Sequence, residues 1–325
     1  MSKPTASDVH VNRPLTNIAV AYAQKAENYI ADKVFPIVPV QKQSDRYFTF
    51  DKGDLLRDEA EERAPGTESA GSGVGIDNTP NYYAPVYAYH EDVDDQRKAN
   101  ADAPLTPMRE ASEQVTQKLL TKRERLWATA FFGTGIWDQD LTGVSASPST
   151  NEFLQWNDAD SDPATDIAAA NEVIRGATGY EGNTLVLGAS VYAVLKNNAS
   201  VLDRIKYTQK GVVTAELLAG LFDVERVLVA KAVYNSAAEG ATATVTDIFG
   251  KAALLCYAAP SPGIRTPSAG YTFAWTGLLG AGAMGIRIKS FRMEHLESDR
   301  VEGEMAFAQK LVGADLGVYF TTAIA

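Results

Sequence analysis

The chain has 325 residues, 45% of them hydrophobic and 22% charged, with a formal net charge of −11. These are the proportions of an ordinary soluble globular protein of one large or two modest domains, with enough residues for a real core. They exclude an open, non-specific grip on nucleic acid, which needs clustered Lys and Arg, but not the enclosing of nucleic acid without gripping it.

Residues 1–40 begin polar, without an apolar signal core after Met1, so ordinary export is not expected. Leu15, Ile18, Ala19, Tyr22, Ala26 and Ile30 recur at helical spacing and predict a short amphipathic helix. Pro36 and Pro39 then force an extended path, which makes this segment an N-terminal arm.

Residues 41–95 are the most informative stretch. They hold five basic against thirteen acidic residues, a net −8, so the rest of the chain is nearly balanced. A connection this long is uncommon inside a compact domain, and a disordered linker should be poor in aromatics. This one carries Tyr47, Phe48, Phe50, Tyr82, Tyr83, Tyr87 and Tyr89, largely in alternation around a Gly-rich centre at 66–75. The pattern predicts two legs of a β-hairpin with an extended tip. Such an arm needs a surface to lie on, and a neighbouring copy of the chain is expected to supply it.

The clearest helix is predicted over 105–132. Thr106 is placed as N-cap, Pro107 at the first helical position, and Glu110 and Glu113 at the positive end of the dipole. Met108, Ala111, Val115, Leu119, Leu126, Ala130 and Phe131 form its apolar face, and Lys118, Lys122, Arg123 and Arg125 charge its later turns. At about 1.5 Å per residue it would run roughly 40 Å. From 164 onward the texture becomes short: helices at 166–177, 190–196 and 214–222, and strands at 184–187, 226–233, 252–257 and 271–275. Alternation returns at 286–293, 305–312 and 318–324. The fold class expected is α+β, with a mixed domain between a long helix and a β-rich return.

No chemistry follows from the motifs. Gly280–Gly285 spells G-x-G-x-x-G, yet it opens an alternating strand at Ile286, where a dinucleotide fingerprint needs a helix. Asp158, Asp160 and Asp162 resemble the start of a calcium loop, but Pro163 and Ala169 stand where Gly and Glu are required. The acidic runs 58–62 and 91–95 lack the apolar surroundings that would raise a carboxyl for acid–base work, and read as solvated or paired surfaces. His10, His90 and His295 lie far apart, and Cys256, the single cysteine, sits in an apolar run as a structural thiol. No catalytic residue, cofactor or metal is expected.

In its order of parts the chain resembles the major capsid (head) proteins of tailed bacteriophages, with their Hong Kong 97-type fold. Two stretches carry the resemblance best. One runs from Leu187-Gly-Ala-Ser-Val-Tyr through Asp203-Arg-Ile-Lys-Tyr to Glu225-Arg-Val-Leu-Val-Ala-Lys. The other runs from Val301-Glu-Gly-Glu-Met-Ala-Phe-Ala to Asp315-Leu-Gly-Val-Tyr-Phe320. The resemblance implies an N-terminal arm at 1–40, an extended hairpin (E-loop) at 41–95 and a peripheral domain with a spine helix at 96–165. It further implies an axial domain at 166–283, a peripheral β-hairpin at 284–312 and a C-terminal strand, back in the axial domain, at 313–325.

The function implied is that of a shell subunit of the virion, assembled in the bacterial host cytoplasm. Its partners would be itself, in hexamers and pentamers, with portal and scaffolding proteins, a decoration protein, and enclosed double-stranded DNA read by no sequence-specific contact. No membrane is involved. With about 40 residues before the arm, scaffolding is expected as a separate protein or a piece already removed. Some members cross-link an E-loop Lys to a neighbour's Asn; Lys42 and Lys52 are the arm lysines here, and 284–312 contains no Asn, which speaks against it.

The expected contacts between copies are Arg46, Tyr47, Phe48, Phe50, Asp58, Glu59, Glu61, Glu62, Tyr82 and Tyr83 on the arm. They are to meet Lys118, Lys122, Arg123 and Arg125 on the spine helix and Arg287, Lys289 and Arg292 on the return strand. The rival readings are an encapsulin-like compartment, a soluble nucleotide-binding enzyme resting on Gly280–Gly285, and a ring-forming tail-tube protein.

Overall fold

A single long helix joins two sheets in the computed structural model, which describes residues 24–101, 105–206, 213–279 and 286–325. That helix spans Pro107–Phe131. Pro107 presets the first turn, and the Glu110 carboxylate reaches back to accept from the Thr106 N–H at 3.2 Å, while the Thr106 hydroxyl makes no capping bond. Ala111, Val115, Leu119, Trp127 and Phe131 are buried at steps of four or eight along one stripe. The stripe serves two cores. Its first half packs with Val93, Val301, Met305 and Phe307; its second half enters the larger core, beside Phe35 and Phe249.

The first sheet is built on the 14-residue strand Ser298–Leu311. Val86–Asp94 and Ile286–Met293 run antiparallel to its first part, and Gly270–Trp275 pairs antiparallel with its end. Ile37–Val40 adds in parallel to Gly270–Trp275. Alternation sorts this sheet's two faces: Met305 and Val301 turn to the helix, Glu304, Glu302 and Arg300 to the other side. At Gly303 the helix comes so close that an added Cβ would meet Val115 at 2.5 Å and Leu119 at 2.7 Å.

The second sheet has six strands in the order Arg226–Ala230, Thr184–Gly188, Ala253–Cys256, Gly317–Thr321, Gln139–Val144 and Glu152–Leu154. Thr184–Gly188 and Ala253–Cys256 are buried on both faces, as their unbroken apolar runs require. The helix Pro163–Thr178 buries Ile167, Ala170 and Ile174 and ends at Gly179 in the left-handed conformation, φ 76°. Asn198 and Thr214 cap the helices Ala199–Ile205 and Ala215–Leu221 with their side chains. Burial pushes the Cys256 thiol up to about 12, the state of an inert structural cysteine.

The sheets depart from the divisions expected at 165/166 and 283/284. Gln139–Val144 and Glu152–Leu154 belong to the six-stranded sheet, and Gly270–Trp275 to the other. Both depend on pairings far apart in sequence, which periodicity does not reveal. Val86–Asp94, placed with the hairpin at 41–95, is an edge strand of the first sheet. The strand expected at 226–233 divides into Arg226–Ala230 and Val233–Asn235, and that expected at 305–312 begins seven residues earlier. Among the described residues no helix is long and apolar enough to cross a membrane, and no group of three or more His, Cys, Asp or Glu is arranged to hold a metal ion.

Candidate assembly surfaces

The hairpin between residues 41 and 84 leaves the body on two short ladders. Ser44–Arg46 pairs antiparallel with Asn81–Tyr83, and Thr49–Phe50 with Ile76–Asp77. Alternation divides its aromatics. Tyr82 stacks on Phe273 with ring centroids 4.6 Å apart, and Tyr47 lies against the same ring at 5.4 Å, so these two root the hairpin in its own chain. Phe50 lies under the Arg265 guanidinium at 5.3 Å. Phe48 and Tyr83 point outward, 61% and 58% exposed, and beyond them Leu55, Leu56 and Ile76 are open to a similar degree. Arg46 and the carboxylate-bearing run Asp58, Glu59, Glu61 and Glu62 lie on this projecting part, with residues 60–79 all exposed. Five large apolar side chains clustered on one projection are more than the scattered exposure ordinary surfaces carry.

An open groove of about 1740 Å³ runs beside the spine helix, walled by Val86–Tyr89 on one side and by Tyr234 and Val245 on the other. Lys118, Lys122 and Arg125 line it, all exposed, and none has a carboxylate within ion-pair distance among the described residues. Lys122 sits 5.7 Å from the Tyr87 ring centre and Arg125 4.3 Å from that of Tyr234. Cations resting on aromatic faces keep their charge available to an anion. Lys25 extends the basic lining.

The other cations expected on the spine helix and return strand have partners in their own chain. Arg123 is 5% exposed and pairs with Asp32 at 3.4 Å. Arg287 donates to Glu304 at 2.7 Å, Lys289 to Glu304 at 2.6 Å, and Arg292 makes two hydrogen bonds to Asp95 of 2.7 and 2.6 Å. Alongside them Arg300 holds Asp92 by two bonds of 2.7 and 2.8 Å. These guanidinium bonds keep the Asp92 and Asp95 carboxyls below the usual carboxylate range. The outer face of the first sheet is thus a ladder of internal ion pairs across three strands. Lys52 on the arm also meets Asp315 of its own chain.

The residue that sequence reasoning passed over is Glu124, fully buried one position after Arg123. A signal was present for its neighbour only: Ala111, Val115, Leu119, Arg123, Trp127 and Phe131 form one i, i+4 series, which puts Arg123 on the buried stripe, while Glu124 stands outside that series. The helical pattern at 15–30 falls mostly, and Gly280–Gly285 wholly, outside the described residues.

Residues 153–269 match the family model of phage major capsid protein E. The chain is similar to the major capsid protein of Burkholderia phage BcepMu, at 30% identity over 318 residues that cover 94% of each chain. Among solved structures it is similar to a phage-related protein from Bordetella bronchiseptica, with a TM-score of 0.67 and 22% identity over 92% of this chain and 94% of that one. It is also similar to the capsid of Cyanophage P-SCSP1u, with a TM-score of 0.60 and 12% identity over 98% and 94%.

Proposed function

The chain belongs to the phage major capsid proteins, and from that premise we propose that its copies are joined by the acidic arm of one lying in the basic groove of the next. The protein is a structural subunit of the head shell, with the Hong Kong 97-type fold, and it assembles with itself. Its place is the virion capsid. An encapsulin-like compartment shares the fold, and what favours the head is identity with a phage major capsid protein along nearly the whole chain.

One observation carries the contact: an arm bearing exposed Phe48, Leu56, Ile76 and Tyr83 beside the carboxylates of 58–62, on a chain whose groove holds Lys118, Lys122 and Arg125, none of them ion-paired among the described residues. Each exposed ion pair would contribute only about 0–1 kcal/mol. The apolar side chains supply the larger part, at about 25 cal/mol per Å² of apolar surface buried. Contacts that are weak singly and many together let a misplaced subunit leave and still hold a finished shell. Arg287, Lys289 and Arg292 have a smaller part in this scheme, because their charge is already met by Glu304, Glu302 and Asp95.

Further elements of the reading are hexamers and pentamers as the closing units, portal and scaffolding proteins and a decoration protein as partners, assembly in the host cytoplasm, and enclosed double-stranded DNA. The acidic balance of the chain supports DNA that slides within the shell and is not gripped by it.

The test replaces residues 58–72 with a short Gly-Ser link, leaving both ladders of the hairpin in place. The expected outcome is a folded, soluble subunit, checked by circular dichroism and thermal unfolding, that forms no closed shells by electron microscopy. Shells of normal size and yield would refute the arm contact.

A further inference from the structure

Among the described residues the strand Val86–Asp94 pairs on one side only, with Ser298–Leu311, so its other side is a free edge of the first sheet. The register tells which backbone groups face that edge. The Asp95 N–H donates to the Glu297 carbonyl at 3.1 Å, and the pairing continues unbroken from Asp94 opposite Ser298 to Val86 opposite Ala306. Antiparallel pairs alternate between bonded and unbonded. Counting back from Asp95 by twos, Val93, Glu91, Tyr89 and Tyr87 spend their N–H and C=O groups on the central strand. Val86, Ala88 and His90 turn theirs to the open side, where they meet no hydrogen-bond partner among the described residues.

Free edges are ordinarily guarded by charge or by proline. The later half of this strand is guarded by Glu91, Asp92 and Asp94, and the opposite edge, Ile286–Met293, by Arg287, Lys289 and Arg292. The first half, Val86-Tyr-Ala-Tyr89, carries no charge, and three of its four residues favour strands. It is this unguarded half that walls the groove holding Lys118, Lys122 and Arg125. A second row of unmet backbone groups lies on the arm. Residues 57–63 form no helix or strand, and none of their N–H or C=O groups is hydrogen-bonded among the described residues.

We infer that the arm docks by strand addition: residues 57–63 of one copy become a further strand on the edge Val86–His90 of the next, bonded through the outward N–H and C=O groups of Val86, Ala88 and His90. The inference rests on the arm contact proposed above and states its mode. In such docking the main-chain bonds supply the hold and the side chains the selectivity. Alternate residues of a strand lie about 6.7 Å apart. Lys118 and Lys122, four residues apart on the helix, are separated by about 6 Å of rise, a spacing that Glu59 and Glu61 match. Residues 1–23, which lead into Gln24 at the same groove, have no such match, because Lys3 and Arg13 outnumber Asp8.

The consequence is a fixed register. Ion pairs alone tolerate a shift of the arm along the groove, whereas a ladder does not, since a slip of one residue turns every side chain to the opposite face.

The experiment compares Ala88→Pro with Ala88→Thr in the full chain. Proline removes one N–H from the open side and leaves the ladder to Ser298–Leu311 whole, as edge strands allow, while threonine keeps the N–H. Both subunits should fold, with urea midpoints near wild type. Shell yield by electron microscopy should fall on the order of tenfold in Ala88→Pro and hold in Ala88→Thr. Wild-type yield in Ala88→Pro overturns the inference, as does an equal loss in both variants. If Ala88→Pro does not fold, amide hydrogen exchange of the wild type decides. The Ala88 and His90 N–H groups should exchange fast in the unassembled subunit and on the order of 100-fold more slowly in shells. Equal rates in the two states, or slow exchange already in the subunit, overturn it. Replacement of 58–72 tests the arm contact itself, so shells that need the arm yet leave Ala88 and His90 exchanging freely would sink strand addition alone.

Discussion

Gly303 sits where the spine helix presses on the central strand, and it shows how much of this fold turns on a single missing methyl group. An added Cβ would stand 2.5 Å from Val115 and 2.7 Å from Leu119, both buried and hemmed in by the first-sheet core. Overpacking of that kind costs about 1–3 kcal/mol. Gly303→Ala should therefore lower the urea midpoint of the unassembled subunit accordingly. Gly71→Ala, at a point on the arm where a Cβ meets nothing within 4 Å, should leave it within about 0.5 kcal/mol of wild type. Equal midpoints for the two variants would mean that the helix does not rest on Gly303. Nothing in the sequence marks the one glycine and not the other, because the difference lies in a long-range neighbour. Arg123 is the opposite case. Its place on the i, i+4 stripe was legible, and its charge drew it to the surface in the sequence reading; only the arrival of Asp32, 91 positions earlier, explains its burial.

At the scale of elements, periodicity located most of the regular structure. The helix predicted over 105–132 is Pro107–Phe131, and the strand predicted at 184–187 is Thr184–Gly188. What periodicity could not supply was which cations are already spent. Lys118, Lys122 and Arg125 look on paper like Arg287, Lys289 and Arg292, yet the first three have no carboxylate within ion-pair distance among the described residues. Arg287 and Lys289 face Glu304 one strand away, and Arg292 holds Asp95, at the start of the helix after Val86–Asp94. The cross-strand register Arg287 to Glu304 and Lys289 to Glu302 decides this, and register is fixed by the burial of Met305 and Val301 on the opposite face. Two sets of variants separate the groups. Reversing Lys118, Lys122 and Arg125 to Glu should cut shell yield at least about tenfold, the effect of losing roughly 1.4 kcal/mol at each contact. Adding Lys at Asp58, Glu59, Glu61 and Glu62 should restore part of it, as charge complementarity requires. Shell counts by electron microscopy check both. Unchanged yield in the first variant, or no recovery in the second, would remove the groove from the assembly contact.

Seen whole, the molecule is two sheets on one helix with a long arm attached; the helix and the projecting hairpin were readable from the sequence, and the sheet membership of the strands was not. Composition, the acidic arm, the long helix and the two family-like stretches led to a shell subunit before any coordinate. The partition of strands went astray because Gln139–Val144 reaches across to Gly317–Thr321, and Gly270–Trp275 to Ser298–Leu311. Such pairings pay no regard to sequence distance. The same geometry gives the account its central claim, that this chain closes a shell by laying the exposed outer part of an arm rooted in its own body onto the body of another copy. The most direct measurement is electron cryomicroscopy of particles formed by the full chain, at a resolution that traces the arm. The account predicts closed icosahedral shells in which residues 54–76 of each copy lie against Lys118, Lys122 and Arg125 of a neighbour. Closed shells with the arm folded back on its own subunit, or a soluble oligomer with no particles, would contradict it.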